Sequence, residues 1–414
     1  MTSSSASLHA TNKEITRLLS VILASRLVIN TAFRMGYAFV PPLSRGLGVD
    51  LQTMSGLISV RSSMGLLAPV FGPLSDRFGR RVVMLGAMSL LVVCALAAYL
   101  STSLISFALG FVGLGLAKII FEPSAAAYLG DRVPYERRGL VMGISELGWA
   151  SGGLIGVPLV SVVIAAWGWQ SPFALIALGG LLALGWARLA LPRAETAHLR
   201  MRVNFRVAFA SIARHPSALL MLLVTFIFLV ASDMIAISYA VWLEQMFSVG
   251  VIALGTITAT FAVADVCGEV LSMWAVDRFG KKRALLTGFA LTTLFYFTLP
   301  LLGASLAVAV SALFLYYVCF EFSIVSVFPL MSELVPEARA TILSLAMLAE
   351  SVGRTLGALL GAWLFALAGF GANGIAAGAM VGAATVVLGW GVSELHAAKA
   401  RESRGVFEET RNAE

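Results

Sequence analysis

Long apolar runs separated by short polar segments dominate the pattern of the chain. Twelve of these runs approach or exceed the roughly 20 residues that an α-helix needs to cross a bilayer. They cover residues 15–40, 51–74, 82–101, 104–130, 139–165, 170–191, 216–242, 251–275, 284–303, 306–331, 339–368 and 372–395. Several exceed the minimum, which predicts tilted or bent helices with candidate kinks at Pro123, Pro158 and Pro329. The pattern therefore predicts an all-α integral membrane protein with twelve transmembrane helices.

The composition supports this prediction. Of the 414 residues, 59% are hydrophobic and 12% are charged, whereas an ordinary soluble domain has about 25% charged residues. Cys94, Cys267 and Cys319 all fall within apolar runs, so we expect small core residues and not a disulfide or metal framework. Residues 1–14 lack the pattern of a cleavable secretory signal, so the first span is expected to act as an uncleaved insertion signal.

Lysine and arginine are distributed unevenly between the two sets of connections. One set carries almost all of them, including those of the segment 192–215, whereas the opposite set carries only Arg45. The positive-inside rule therefore predicts that both termini are cytoplasmic, as in a multi-pass protein of the cell (inner) membrane. The net charge of +7 is explained by this topology and by contact with anionic lipids, and it does not indicate a nucleic-acid partner.

The chain also repeats a short motif. Residues 76–81, Asp-Arg-Phe-Gly-Arg-Arg, recur as residues 277–282, Asp-Arg-Phe-Gly-Lys-Lys. A second echo, from 121–122 to 320–321, continues with Asp131 and Glu333. The simplest interpretation is two six-helix halves with a site at their interface near the midplane. The predicted organisation is a tail at 1–14, an N-terminal bundle at 15–191, a basic linker at 192–215, a C-terminal bundle at 216–395 and a tail at 396–414.

The segment 72–81 reads Gly-Pro-Leu-Ser-Asp-Arg-Phe-Gly-Arg-Arg. At every position it matches a motif of the major facilitator superfamily: a glycine, an aspartate four residues later, a base, a second glycine and two further bases. The chain resembles this family over all twelve spans. The resemblance implies a secondary transporter, and not an enzyme, that alternates between inward-open and outward-open states.

The resemblance also implies a latch at the helix ends. In the family, the acid of the motif lies against a helix end of the other half, and the base four residues later reaches the acid that ends span four, which latches the outward-facing state. By position these residues are Asp76, Arg80 and Asp131. The latch candidates are Gly72, Asp76, Arg77, Gly79, Arg80, Asp131, Asp277, Arg278 and Gly280. Met273 replaces the glycine of the second copy, which predicts a weaker latch in the C-terminal half.

Two other motifs of proton-driven family members are incomplete. Leu109 stands where many members carry an arginine, so Lys118 is the only base in span four. Val157 separates Gly156 from Pro158, whereas the drug-antiporter motif has its proline directly after the second glycine. These departures count against assignment to the drug antiporters.

Twelve ionisable residues fall inside the predicted spans, and none lies in spans three, six, nine or twelve, the peripheral helices of the resembled fold. They are Arg26, Arg34, Arg61, Lys118, Glu122, Glu146, Asp233, Asp265, Glu269, Glu321, Glu350 and Arg354. Charged side chains inside a membrane usually face the bundle interior or a water-filled path. The pattern therefore predicts a central polar cavity between the halves.

Span one places Arg26, Asn30 and Arg34 on one helical face, because they recur at every fourth residue. Arg26 lies about 16 Å from the start of the span, near the midplane, so that this face is expected to line the cavity. The substrate-cavity candidates are Arg26, Asn30, Arg34, Arg61, Lys118, Asp233, Asp265 and Arg354. For Arg26 and Arg34, a structural ion pair is the alternative to a functional role.

Carboxylates inside the spans are candidates for proton coupling, because a buried acid without a cationic partner is most stable when protonated. Glu146 and Glu321 have no base three or four residues away, and Glu122 and Glu350 complete the set of candidates. The alternatives are that the pairs Lys118/Glu122 and Glu350/Arg354 neutralise themselves, or that the acids pair across helices with Arg26 or Arg61.

Three hypotheses for the function follow. The favoured one is a proton-coupled exporter of an amphipathic, drug-like small molecule; the others are an importer of an organic anion or nutrient, and a transporter-like sensor or scaffold without turnover. No cofactor is expected, and the proton gradient is the expected energy source. The expected partners are the small-molecule substrate and the lipid bilayer, with the protein as a monomer. Five basic and seven acidic interior residues leave the charge of the substrate open.

Overall fold

The computed structural model describes residues 12–192, 214–335 and 339–392, and all regular elements within these ranges are helices. The predicted tails and most of the predicted linker lie outside the described residues. Eleven helices are long and apolar enough to cross a membrane. The last of them, Arg339–Gly391, contains non-helical backbone at Ala368 and Gly369, so it comprises two spans. The twelve-helix prediction is therefore confirmed.

The N-half contains six membrane helices. They are α1 (Asn12–Ala38), α2 (Leu51–Ser63, continued by a 3-10 turn at Met64–Leu67 and by Ala68–Phe78), α3 (Arg80–Tyr99), α4 (Leu104–Arg132), α5 (Tyr135–Ser151, a π-helical turn at Gly152–Gly156, and Val157–Trp167) and α6 (Ser171–Ala190). A short helix, Val40–Leu47, connects α1 to α2.

The C-half repeats this arrangement. It consists of α7 (Pro216–Phe247), α8 (Val251–Phe279), α9 (Lys281–Thr298 with a 3-10 turn at Leu299–Leu301), α10 (Leu306–Leu334), α11 (339–367) and α12 (370–391). The repeat extends to the caps, since the hydroxyls of Ser103 and Ser305 accept a hydrogen bond from the backbone three residues later at the start of α4 and α10.

The two copies of the family motif form equivalent turns. Gly79 between α2 and α3 and Gly280 between α8 and α9 both have φ of 88°, a conformation that other residues rarely adopt. The motif glycine is therefore required by the turn itself. We call the end of the bundle with these two turns the basic end, and the opposite end, with the short helix, the Arg45 end.

The halves are in contact in the middle of the bundle and at the Arg45 end. Hydrogen bonds and ion pairs that join them there include Arg34–Asp265, Tyr37–Asp233 and Arg45–Glu244. Small residues supply the closest packing: Gly255 of α8 meets Ser161, and Gly65 of α2 meets Ser351 of α11. The structure thus shows a state joined at the Arg45 end, which the charge distribution predicts to be the outer end.

The glycines of α5 allow three helices to converge. A Cβ on Gly152 would lie 2.8 Å from the backbone carbon of Asn30 in α1, and one on Gly153 would lie 2.7 Å from Cβ of Ala262 in α8. The π-helical turn Gly152–Gly156 lies at this crossing. A π-bulge inside an α-helix is frequently located at a functional site. The crossing therefore fixes α5 against both α1 and the C-half.

Replacing Gly152 with alanine tests this packing. Because the obstructing atoms belong to the α1 backbone, we expect Gly152→Ala to destabilise the protein by about 1–3 kcal/mol and to lower its melting temperature in detergent. Gly143→Ala is the matched control in the same helix, since nothing lies within 4 Å of its Cβ position. Alanine should be neutral or slightly stabilising there. Equal melting temperatures for the two variants would contradict the close crossing.

Candidate functional site

A cluster of four charged residues joins α1, α4 and α5 in the middle of the N-half. Arg26 donates from Nη1 and Nη2 to both carboxylate oxygens of Glu146 at 2.9 Å, and its Nη2 lies 2.9 Å from Glu122 Oε2. Nη1 also donates to the carbonyl and hydroxyl of Ser145. Only 9% of the Arg26 side chain is exposed. Two carboxylates thus surround one nearly buried guanidinium.

Lys118 completes this cluster, which we call the N-half cluster: Arg26, Lys118, Glu122 and Glu146. Its ammonium donates to Asn30 Oδ1 at 2.6 Å and to Glu122 Oε1 at 3.2 Å. Asn30 in turn donates to the carbonyl of Gly148 at 3.2 Å. The cluster contains two cations and two carboxylates, so its formal charges balance. Charges removed from water are tolerated when they are paired and hydrogen-bonded in this way.

The premise that Glu146 lacks a cationic partner is wrong. Glu146 has no base nearby on its own helix, but α1 brings Arg26 to it, and Glu122 shares the same guanidinium. The alternative prediction, that these acids pair across helices with Arg26 or Arg61, therefore describes the structure, and the partner is Arg26. The pair Lys118/Glu122 within α4 also forms.

The other predicted intrahelical pair does not form. Arg354 of α11 donates to Asp233 of α7 at 3.1 Å and not to Glu350, and Oε1 of Glu350 is buried without a hydrogen-bond partner among the described residues. Asp233 also accepts a hydrogen bond from the Tyr37 hydroxyl of α1 at 2.8 Å. The resulting chain Tyr37–Asp233–Arg354 connects the two halves.

Arg34 and Arg61 have different partners. Arg34 forms an ion pair with Asp265 of α8, and its guanidinium lies 4.1 Å from the ring centroid of Trp149. Arg61 is 1% exposed and donates to the α1 carbonyls of Ala32 and Phe33 at 3.3 and 3.1 Å. The Arg61 charge therefore holds α1 against α2 and is not accessible from the space between the halves.

The C-half presents carboxylates without counterions. Glu269 of α8 and Glu321 of α10 have no hydrogen bond or ion pair to another described residue. The close crossing of α8 and α10 at Gly268, where a Cβ would lie 2.8 Å from Cβ of Glu321, brings these acids together beside Asp265. We call Asp265, Glu269 and Glu321 the C-half acids. Arg34 of the N-half is paired with Asp265 only.

Aromatic rings adjoin these charges on both sides. Tyr317 stacks on Phe261 with a centroid distance of 4.4 Å, and it contacts Tyr239 and Phe320 at 6.4 and 6.3 Å. In the N-half, Trp149 lies 5.0 Å from the Lys118 ammonium. Rings next to unpaired acids can bind a molecule that has both an apolar body and a polar or cationic group.

An apolar cavity lies away from these charges. Its volume is about 1120 Å³, and it is lined by the ends of α5, α8 and α10 at the Arg45 end, including Ile164, Val251 and Leu306. It contains none of the twelve interior ionisable residues. Its apolar lining matches the lipid chains expected at this surface, so the charged centre is the better candidate for a transport site.

The ion pairs near the basic end join helices within each half. Arg80 of α3 pairs with Asp131 of α4, and Lys281 of α9 pairs with Glu333 of α10 at the equivalent position. The sequence echo from Asp131 to Glu333 contained this second pair, although it was not among the latch candidates. Arg77, Asp277 and Arg278 are exposed, as is Met273. The surroundings of Gly72 and of the Asp76 side chain lie outside the described part, so the latch role of these two residues stays a prediction.

Neutralising Arg26 tests the charge balance of the N-half cluster. Arg26→Gln leaves two carboxylates with one cation, so we expect a loss of about 3 kcal/mol in stability, measured as a lower melting temperature. Adding Glu146→Gln restores the balance and should recover part of the loss. Arg45→Gln is the control, because 60% of that side chain is exposed and its pair with Glu244 should contribute at most about 1 kcal/mol. Additive effects of the Arg26 and Glu146 variants would contradict the proposed balance.

Comparison with known proteins identifies the family. The model of the Major Facilitator Superfamily matches residues 22–232 and 221–409, which together cover most of the chain. An uncharacterized MFS-type transporter of Bacillus subtilis, YwfA, is 25% identical over 86% of this chain and 85% of its own length. A multi-drug resistance efflux pump PmrA homolog of Lactococcus lactis is 24% identical over 83% of this chain and 86% of its own.

Other similarities are more partial or concern the fold alone. The 4-hydroxybenzoate transporter PcaK of Acinetobacter baylyi is 34% identical, but over only 39% of this chain and 34% of its own length. The crystal structure of a D-xylose-proton symporter superposes with a TM-score of 0.74 at 16% identity, covering 93% of this chain and 99% of the other. The chain belongs to the major facilitator superfamily, and it is a multi-pass membrane transporter with the twelve-helix fold of that family.

Proposed function

We propose that this protein works by alternating access and exports an amphipathic small molecule in exchange for protons. One observation carries the proton coupling: Glu269 and Glu321 lie in the interior without a hydrogen bond or ion pair to another described residue. An ionised carboxylate in a low-dielectric site without a cation is unstable, and binding a proton removes that cost. Water that reaches the site from the other side of the membrane can then take the proton away.

The candidate proton sites differ in whether their carboxylates are already paired with a cation. Glu122 and Glu146 already share two cations, so protonating either would break the balance of the N-half cluster. Glu321 has no such partner and becomes the leading candidate, together with Glu269. Glu350 is a further candidate, because one of its buried oxygens has no hydrogen-bond partner among the described residues.

The surroundings of the C-half acids favour a substrate with a cationic or donor group over an organic anion. Unpaired acids attract such a group, and the rings of Tyr317 and Phe261 provide faces for an apolar body. An anion would need an accessible cation, but Arg61 is buried against α1 carbonyls and Arg34 is paired with Asp265. The importer of an organic anion is therefore the weaker hypothesis.

Export is supported by the similarity to the PmrA homolog, which extends over 83% of the chain, whereas similarity to the 4-hydroxybenzoate transporter covers 39%. With both termini cytoplasmic, the observed contacts at the Arg45 end would close the outer side. The substrate would then approach the C-half acids from the basic end, and protons from outside would exchange for it after the halves have rocked.

Transport in proteoliposomes with an imposed pH gradient tests this proposal. We expect substrate-dependent proton flux for the wild type, scanned over amphipathic cations, neutral solutes and anions, and at least about a tenfold loss for Glu321→Gln, as expected when a coupling step loses its acid. Glu146→Gln should instead impair stability more than coupling.

Asp50→Asn is the matched control for loss of a carboxylate. Asp50 caps the start of α2 by accepting a hydrogen bond from Thr53 N at 2.8 Å, and asparagine caps equally well. This variant should transport like the wild type. Substrate flux that does not depend on the pH gradient in the wild type or in any variant would refute proton coupling. Loss of coupling in Glu146→Gln alone would instead place the proton site in the N-half cluster.

A further inference from the structure

The contacts between α5 and α8 follow a regular register across the boundary of the halves. These helices run in opposite directions. Near the Arg45 end, a Cβ on Gly255 would lie 2.4 Å from Cβ of Ser161, and further along a Cβ on Gly153 would lie 2.7 Å from that of Ala262. Both contacts belong to one continuous seam, which we call the α5–α8 seam.

Continuing the seam toward the basic end leads to two acids. On α8, two helical turns separate Gly255 from Ala262, and two more lead to Glu269. On α5, the step from Ser161 to Gly153 is one residue longer because it passes through the π-helical turn Gly152–Gly156, and two further turns lead to Glu146. Glu146 and Glu269 are therefore the next opposing residues of the seam, one from each half.

At this level the seam includes an exposed carboxylate. Glu146 is paired with Arg26, yet 56% of its side chain is exposed, and Glu269 lies close enough for the two carboxylates to interact electrostatically. Gly153 and Ala262 form a close contact between α5 and α8 on the Arg45 side of the two acids. Rocking about that contact would close the basic end and bring the two carboxylates toward each other.

Among the described residues, no unpaired cation is found in the set of charged groups that act most strongly on Glu269. This set comprises Asp265 on α8, Glu321 on α10, Glu146 on α5, and Arg26 and Arg34 on α1. Arg34 is paired with Asp265, and Arg26 is shared by Glu122 and Glu146. Closure would therefore press an uncompensated carboxylate against the rim of an already neutral cluster, and like charges in a low dielectric repel strongly.

We propose that Glu146 and Glu269 form a carboxylate gate, in which the basic end closes only while the charge of Glu269 is neutralised, by a proton when no substrate is bound or by the cationic group of a substrate during exchange. The proton comes from water and forms an O–H bond on the Glu269 carboxyl. The neutral acid then donates a hydrogen bond to the Glu146 carboxylate, so that closure gains a charge-assisted contact in place of a repulsion. When the basic end has opened again, loss of this proton to the water there restores the repulsion and keeps the gate open. This inference rests on the alternating access of the proposed function, but it needs no particular substrate.

Distance measurements between spin labels test the gate without substrate. Labels on cysteines at Val82 of α3 and Arg283 of α9, both exposed near the basic end, would be placed in a chain whose three native cysteines are replaced. In the wild type, the population with the short label distance should grow as the pH falls. In Glu269→Gln this population should be pH-independent and, at alkaline pH, about tenfold larger relative to the open state than in the wild type.

Two further variants keep the test decisive. Glu269→Asp retains the acid and should retain the pH response, whereas Asp50→Asn removes an acid outside the seam and should behave like the wild type. A Glu269→Gln protein that folds and keeps the wild-type pH response would overturn the gate, as would a response lost only in Glu321→Gln. Proton-independent substrate flux together with the expected label distances would refute the proposed coupling and leave the gate standing.

Discussion

The membrane-spanning part of this protein depends on how its buried charges are compensated. Arg26 lies in the middle of α1 with 9% of its side chain exposed, where an unpaired guanidinium would be strongly destabilising. Its pairs with Glu122 and Glu146 fix α1 against α4 and α5, and the glycines of α5 allow the approach that these bonds require. These contacts join α1, α4 and α5 around a neutral centre in the N-half.

The buried charges of the two halves are not compensated to the same extent. Four of the five interior cations pair with four carboxylates, and the fifth, Arg61, is satisfied by α1 carbonyls. Glu269, Glu321 and Glu350 remain, all in the C-half. A carrier needs groups whose charge can change without unfolding the bundle, and these acids meet that condition because no structural ion pair depends on them. The contacts of Arg34 and Tyr37 across the interface tie the position of the C-half acids to the neutral centre of the N-half.

The sequence predicts the helices well and the partners of the charges poorly. A bilayer requires about 20 apolar residues per span, so twelve spans and their approximate ends can be read from hydropathy. Spacing along one helix, however, reveals only neighbours on that helix. Glu146 appeared isolated although α1 supplies Arg26, and Glu350 appeared paired although Arg354 turns to Asp233. Two long-range signals were available: the family resemblance implied the pair of Arg80 and Asp131, and the internal repeat includes the pair of Lys281 and Glu333.

Infrared difference spectroscopy during a pH jump would locate the bound proton most directly, because a protonated carboxyl absorbs apart from a carboxylate. The wild type in lipid should show a protonated-carboxyl band that disappears at alkaline pH. The band should be lost in part in both Glu269→Gln and Glu321→Gln and should be unchanged in Glu122→Gln. The contradicting result is a band that persists in the two C-half variants and disappears in Glu122→Gln or Glu146→Gln. It would place the proton in the N-half, and proton coupling could then not depend on the uncompensated carboxylates of the C-half.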